Sequence, residues 1–341
     1  MKRYFLAPLF SFSLLLSGLS NVSQAADKVV IGEQNWTGAV AIQHVLAEVI
    51  RTRLDGDVSF LAADLPILWG SAGKNDGSVD VLCDVWLPNQ AAGWARYVAK
   101  GSAETLIPTK NPYTGEQGFY IPGYIQDQHN VKSVYDLAKP EIAKLFSFQG
   151  GKPEFLVGPA GWESTYISEI KAKDYGFRPL FEIVSTEASV TYAKIDAAFK
   201  AKTGVLFYAY TPDWIFAAYD LRRLEEPAFD GYAQDNKKGD PDYNPNGKWK
   251  FISPTEDADW LNKSKITSAF PDAKVYILHA KRLEKDAPKI AAFLNDVAID
   301  PGALNSLIKK IEVDKASPAD AAKTWVAANK SVVDSWLKNV K

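Results

Sequence analysis

The sequence predicts an α/β protein of two lobes, in which each lobe is a mostly parallel sheet flanked by helices. Short apolar runs alternate along the chain with segments of helical periodicity, which is the pattern of parallel strands joined by crossover helices. A chain of 341 residues exceeds the size at which a single core stops growing, so two cores are expected. The sequence contains no repeat of about 20–50 residues, which argues against a solenoid.

The first lobe is predicted from short apolar strands that alternate with helices. The predicted strands cover residues 28–32, 58–61 and 79–85, and the predicted helices begin at Thr37 and Pro66. Thr37 is a suitable helix cap because its side-chain oxygen can accept a bond from the first turn. Pro88 follows the third strand and favours the start of another helix, since its fixed φ suits a first helical turn.

The second lobe repeats this alternation after a short strand at 118–121 that is expected to cross between the lobes. Its predicted elements are strands at 155–158, 180–184 and 204–210 and helices at 133–137, 166–173 and 188–201. An irregular segment follows, and then a strand at 274–278 and helices at 288–298, 303–309 and 318–340. We therefore assign residues 26–115 and 228–341 to lobe 1 and residues 116–227 to lobe 2.

The first 25 residues are typical of a secretory signal peptide. Lys2 and Arg3 precede an apolar run over residues 5–19. The small residues Ser23 and Ala25 come just before the expected cleavage position, which lies after Ala25. The residue directly after that position is Ala26 and not a cysteine, which argues against a lipid anchor there. We expect a periplasmic protein that is secreted through this peptide.

Charge and cysteine content argue against several classes of partner. Removing Lys2 and Arg3 with the signal peptide changes the formal net charge from −2 to −4, which gives no reason to expect nucleic acid or an anionic membrane surface. The only cysteine is Cys83, so no intramolecular disulfide can form, and its apolar neighbours predict a buried residue. We expect a monomer without a cofactor.

Aromatic residues occur in four turns that follow predicted strands. They are Trp36, Trp86, Trp162 and, in the last turn, either Tyr210 or Trp214. Ligands bind at the carboxyl ends of the strands in open α/β sheets, and two of these turns come from each lobe. Facing aromatic rings bind a cation that cannot donate hydrogen bonds, such as a quaternary or methylated ammonium group. The pattern therefore predicts an aromatic cage in a cleft between the lobes.

These residues resemble the periplasmic glycine betaine and proline betaine binding proteins of ABC importers, which are the quaternary-amine binding family. The resemblance runs over residues 28 to about 300 and rests on three segments, which are Val85-Trp86-Leu87-Pro88, Gly161-Trp162 after a Gly-Pro turn, and the run from Tyr210 to Phe216. It implies the two-lobed type II periplasmic-binding fold, an aromatic box built from these segments, and an ABC permease with its ATPase subunit as partners.

The polar residues beside the predicted cage bear on the choice of ligand. In many members of the family, small residues after the Gly-Trp pair and a histidine after the first box tryptophan hold the betaine carboxylate. Here Glu163 and Ser164 follow Trp162, and Asn89 and Gln90 stand where that histidine would be. Asn35 adjoins Trp36 in the first turn. Because two carboxylates repel unless one is protonated, choline and trimethylamine N-oxide compete with glycine betaine and proline betaine as predicted ligands.

Other functions are weighed against this prediction. The protein could bind another small amine or an amino acid, or it could be a secreted enzyme that uses cleft carboxylates from among Glu33, Asp84 and Glu163. No nucleophile elbow or phosphate-binding loop is present in the sequence, so we predict no enzyme. The segment from Asp242 to Gly247 resembles the start of a calcium loop, but Pro245 within it favours a turn-rich surface loop. We expect no metal site.

Overall fold

A computed structural model of the chain describes residues 1, 26–147, 150–238, 240 and 242–341. The predicted signal peptide, apart from Met1, lies outside the described residues. None of the helices in the described part of the chain has the length and apolar character needed to cross a membrane.

Strands and helices alternate through most of the chain, as predicted. The strands are β1 (Lys28–Glu33), β2 (Asp57–Ala62), β3 (Val81–Leu87), β4 (Leu106–Pro108), β5 (Tyr113–Pro122), β6 (Glu154–Val157), β7 (Glu182–Ser185), β8 (Leu206–Thr211), β9 (Leu221–Arg223), β10 (Trp249–Lys250), β11 (Lys265–Ile266) and β12 (Ala273–Ala280). The α-helices are α1 (Thr37–Arg53), α2 (Leu65–Gly73), α3 (Ala91–Tyr97), α4 (Gly123–His129), α5 (Pro140–Ala143), α6 (Glu163–Asp174), α7 (Ala188–Ala201), α8 (Ile215–Ala218), α9 (Trp260–Lys263), α10 (Leu283–Asp286), α11 (Pro288–Asp296), α12 (Pro301–Glu312), α13 (Pro318–Ala328) and α14 (Lys330–Leu337).

The main sheet joins two sets of parallel strands through an antiparallel centre. Its order is β2-β1-β3-β12-β5-β8-β6-β7, with β4 paired to β12 and β9 paired to β5. Strand β1 pairs in parallel with β2 and β3, and β6 pairs in parallel with β7 and β8. The first part of β5 pairs with β12 and its later part with β8, so this strand passes from one set to the other.

Each set of strands has its own apolar core, as the length of the chain predicts. The first core is formed by β1, α1 and the helices α11 to α13, while the second is rich in aromatic residues, including Phe119 and Phe155. Tyr232, Trp249 and Phe270 pack into this second core. The return to lobe 1 that we place at residue 228 stays a prediction, and this packing favours a return nearer to β12.

The final helix is shorter than the single helix predicted over residues 318–340. It is divided into α13 and α14 at Asn329, whose backbone leaves the helical region at φ −113° and ψ 41°. The Asn329 amide donates to the carbonyl oxygen of Trp325 at 2.8 Å, and this side-chain bond satisfies a carbonyl group at the end of α13. Helical periodicity continues across the break, so the sequence pattern does not reveal it.

Candidate ligand-binding site

Four aromatic rings from the ends of four strands meet in one place. Trp36 directly precedes α1, Trp86 lies near the end of β3, Trp162 directly precedes α6, and Tyr210 lies near the end of β8. The ring centroids of Trp36 and Trp162 are 5.2 Å apart with an interplanar angle of 80°, and those of Trp86 and Tyr210 are 5.1 Å apart with an angle of 65°. Trp36 and Trp86 follow or belong to strands of the first parallel set and Trp162 and Tyr210 to strands of the second, so each pair joins the two sets.

The rings surround a cavity with about 350 Å³ of space between atoms, part of which is open to solvent. The lining residues are Trp36, Leu65, Trp86, Asn89, Gln90, Trp162, Glu163, Ser164, Tyr208 and Tyr210. Seven of the nine residues predicted as ligand-binding are thus together here, and their role in binding stays a prediction.

The position of the Trp162 ring depends on Gly158 in the preceding turn. A Cβ atom at Gly158 would lie 2.6 Å from the Trp162 ring, so a larger residue would displace the indole. The Thr165 hydroxyl donates to the carbonyl oxygen of Pro159 at 2.8 Å and closes the turn from the helix side. Gly161 adopts φ +92°, which glycine reaches at little cost. The Gly-rich turn is therefore needed to hold this ring at the cavity.

Glu163 places a carboxyl group of unusual chemistry in the cavity wall. Its Oε2 atom is buried and has no hydrogen-bond partner among the described residues. Burial raises the pKa of Glu163 to about 8, and the charge of Glu256 adds to the rise. The N–H groups of Ala92 and Ala91 and the charge of Lys237 oppose it. Glu163 is consequently mostly protonated at neutral pH and can donate a hydrogen bond in that form.

A network of amides and a phenol forms another part of the wall. The Tyr208 hydroxyl donates to Gln117 Oε1 at 2.5 Å, and the Gln117 amide donates to Asn89 Oδ1 at 2.9 Å. The Gln90 side chain accepts a bond from the Trp69 indole at 2.9 Å, which fixes its orientation. These bonds hold polar side chains in place at the cavity.

Three lining residues, Leu65, Asn89 and Tyr208, are not among those predicted from the sequence. Tyr208 had a recognisable signal, because it precedes Tyr210 by two positions in a strand and side chains two apart share a face. Asn89 also had a signal, since it stands with Gln90 where many members of the family have a histidine. Leu65 begins α2, and nothing in its local sequence indicates a binding site.

Two predicted residues lie outside the cavity. Asn35 is exposed, and its amide donates to Glu187 Oε2 at 3.0 Å. The Trp214 ring packs at 5.3 Å from the Tyr192 ring and does not line the cavity. Between Tyr210 and Trp214, the structure therefore brings Tyr210 to the other cage rings.

The predicted surface loop from Asp242 to Gly247 is held by turn contacts. The Asn244 amide donates to the carbonyl oxygen of Asp230 at 2.8 Å, and its Oδ1 atom accepts the N–H of Asn246 at 3.1 Å. Within the described ranges, no three histidine, cysteine or acidic side chains lie close enough together to hold a metal ion. The Cys83 side chain is buried, as predicted.

Residues 27–328 match the family described as the substrate-binding domain of the ABC-type glycine betaine transport system. The chain belongs to this family. The family resemblance that the aromatic segments indicate is thereby confirmed, and so is the assignment to substrate-binding proteins of ABC transport systems.

Individual relatives are distant but similar over almost their whole length. The chain is 22% identical over 328 residues to the trimethylamine N-oxide-binding protein of Pelagibacter ubique, a match that covers 94% of each chain. The solved glycine betaine/L-proline-binding protein of Borrelia burgdorferi superposes with a TM-score of 0.67 at 18% identity, covering 91% of this chain and 96% of that one. A choline-binding protein solved with choline superposes with a TM-score of 0.69 at 16% identity, covering 92% and 93%. These superpositions confirm the two-lobed periplasmic-binding fold.

Proposed function

We propose that this family member is the periplasmic subunit of an ABC importer and that it captures a methylated amine between Trp36, Trp86, Trp162 and Tyr210. The observation that carries the proposal is the convergence of these four rings, two from each set of parallel strands, on one cavity. Each ring that faces a trimethylammonium group contributes about 0.5–2 kcal/mol. Methyl groups also bury apolar surface against the rings, so the cage suits a cation that donates no hydrogen bonds.

Trimethylamine N-oxide is the ligand that this wall suits best. A protonated Glu163 offers a hydrogen-bond donor to the N-oxide oxygen while the rings enclose the three methyl groups. The relative from Pelagibacter ubique is named for binding this compound. The sequence argument against glycine betaine rests on repulsion from an ionised Glu163, and the raised pKa removes that repulsion at neutral pH. Glycine betaine and proline betaine therefore stay in the proposed ligand set.

Choline is a second candidate because of the unpartnered Oε2 atom of Glu163. An ionised Glu163 would accept the choline hydroxyl proton and balance the ammonium charge, and a nearby cation favours the ionised form. The two candidates thus use opposite protonation states of one side chain. Their pH dependence distinguishes them.

The proposed mechanism is closure of two lobes around the ligand. Support comes from the Trp36–Trp162 and Trp86–Tyr210 contacts, which join rings carried by the two sets of parallel strands. Ligand would enter when the lobes are apart, and the closed form would dock on a membrane permease that an ATPase subunit drives. We propose that the protein reaches the periplasm after cleavage behind Ala25 and acts there as a monomer.

Titration calorimetry tests the ligand class directly. The purified mature chain is titrated with trimethylamine N-oxide, glycine betaine, proline betaine, choline, histidine and a sugar. We expect one or more of the methylated amines to bind with the highest affinity, and the double variant Trp86→Ala/Trp162→Ala to lose this binding. Tighter binding of histidine or the sugar, or no binding of any methylated amine, would contradict the proposal.

We propose binding without catalysis, and a turnover assay tests this part separately. Each ligand is incubated with substoichiometric protein and measured over time. Full recovery of the ligand is expected. Loss of ligand beyond one equivalent of protein would instead favour an enzyme that uses cleft carboxylates.

A further inference from the structure

Asp84 is a buried carboxylate directly behind the cage, and its backbone conformation is unusual. It lies within β3 with φ +54°, a left-handed conformation that residues other than glycine adopt only at some cost. The pairing of β3 with β12 shifts register between Tyr276 and Leu278, which marks a β-bulge opposite this residue. Bulges redirect side chains, and here the carboxylate turns to the side of the sheet that carries the aromatic rings.

Aromatic donors converge on this carboxylate. The Trp36 indole N–H donates to Oδ2 and the Tyr113 hydroxyl donates to Oδ1. The Trp86 side-chain N–H is a third donor that favours the charged form. Two of these three donors belong to rings of the cage. Both indoles carried by the first set of strands thus bond to one side chain.

Among the described residues, no lysine or arginine contributes to the interactions that favour the charge of Asp84. The side chain is 1% exposed, and the ionised form is favoured by hydrogen bonds from Tyr113, Trp36 and Trp86. Burial outweighs these bonds and raises the pKa of Asp84. A buried carboxylate normally has a paired cation. A positive charge in the cavity that the indole rings line would supply one.

Hydrogen bonding to the carboxylate also changes the rings themselves. An indole whose N–H donates to a negative group is polarised towards its π face, since linked hydrogen-bonding groups polarise one another. The attraction of a cation for the ring is electrostatic and grows with the negative potential of that face. Asp84 therefore favours a positive charge in the cavity without touching the ligand.

We propose that Asp84 is a positioning residue that orients Trp36 and Trp86 and makes the cavity prefer a ligand with a positively charged nitrogen over a ligand of the same shape without that charge. This inference rests on the proposed function, because it assumes that a methylated amine occupies the cage. It goes further in assigning charge selectivity to a residue that does not line the cavity.

The test compares each methylated amine with its carbon isostere, in which carbon replaces the charged nitrogen. The pairs are trimethylamine N-oxide with tert-butanol, choline with dimethylbutanol, and glycine betaine with dimethylbutanoate. The tightest amine and its isostere are titrated, by competition where the isostere is weak, against the wild type, Asp84→Asn and Asp213→Asn. Asp213 is a matched control because it is buried near Tyr210 but bonds Tyr192.

We expect Asp84→Asn to reduce the ratio of amine affinity to isostere affinity by about tenfold, with Asp213→Asn close to the wild-type ratio. Equal weakening of both ligands in Asp84→Asn, or an equal change of ratio in the two variants, would overturn the proposal. If no methylated amine binds the wild type, the proposed function itself fails, and this outcome is distinct from an unchanged ratio.

Asp84→Asn could fail to fold, which circular dichroism would reveal. Tyr113→Phe then provides the decision, because it keeps the carboxyl group and removes a hydrogen bond that favours its ionised form. With its charged form less favoured, Asp84 should attract the positive nitrogen less, and the ratio of amine affinity to isostere affinity should fall by about twofold or more. An unchanged or higher ratio in this variant would overturn the proposal.

Discussion

Raising the pH is expected to weaken the binding of trimethylamine N-oxide through a single group, the Glu163 carboxyl. Burial raises the pKa of Glu163 to about 8, so the folded protein holds this proton at neutral pH and releases it as the pH rises through that value. The ionised form cannot donate to the N-oxide oxygen, and its charge repels the oxygen. Binding should therefore follow the protonated fraction.

The magnitude follows from the titration curve. About nine tenths of Glu163 is protonated at pH 7 and about one tenth at pH 9, so the Kd should rise about tenfold between them, which is about 1.4 kcal/mol. Choline should show the opposite sign, with a lower Kd at pH 9, because the ionised carboxylate accepts its hydroxyl proton and balances its charge. The sign of the slope thus reports which ligand chemistry the wall suits.

Calorimetric titrations of the wild type and of Glu163→Gln across this pH range provide the measurement. Glutamine keeps a hydrogen-bond donor and cannot ionise, so the Kd of this variant for trimethylamine N-oxide should not change with pH. The variant also distinguishes the titration of Glu163 from that of Asp213, because burial raises the pKa of Asp213 to about 7. A wild-type Kd that does not change with pH, or the same slope in both proteins, would refute the reasoning.

Three further predictions concern the cage, closure and stability. Trp86→Ala and Trp162→Ala should each raise the Kd at least about tenfold, while Trp214→Ala should change it less than about threefold because that ring lies outside the cavity. Titration of the three variants checks this, and an equal loss of affinity in all three would contradict the prediction that only the rings at the cavity bind ligand. Ligand should reduce the radius of gyration in small-angle scattering, and an unchanged radius would argue against closure. Lys171→Met should lower the free energy of unfolding by about 3–5 kcal/mol, because it leaves the buried Glu226 without its ion-pair partner at 2.6 Å. Urea denaturation measures this, and a loss below about 1 kcal/mol would contradict the prediction.

The local sequence was enough to place the aromatic turns. The polar and apolar periodicities of strands and helices are short-range, so Trp36, Trp86 and Trp162 can be assigned to the carboxyl ends of strands without knowing any contact. Parallel strands bring such ends to one edge of a sheet. The expectation of one shared cavity followed from this geometry and from the number of cores that the chain length requires.

Only the tertiary structure decided those properties of the site residues that depend on neighbours distant in the sequence. The Trp214 ring turns away from the cavity because it packs against Tyr192 of α7, which is remote in sequence. The Glu163 pKa depends on burial and on Ala91 and Ala92 from the opposite side of the cavity. Asp84 is buried behind the rings because a bulge forms against β12, nearly 200 residues further along the chain. Periodicity determines which residues reach an edge of the sheet, whereas burial, charge and ring orientation there are set by the packing of segments that the sequence keeps far apart.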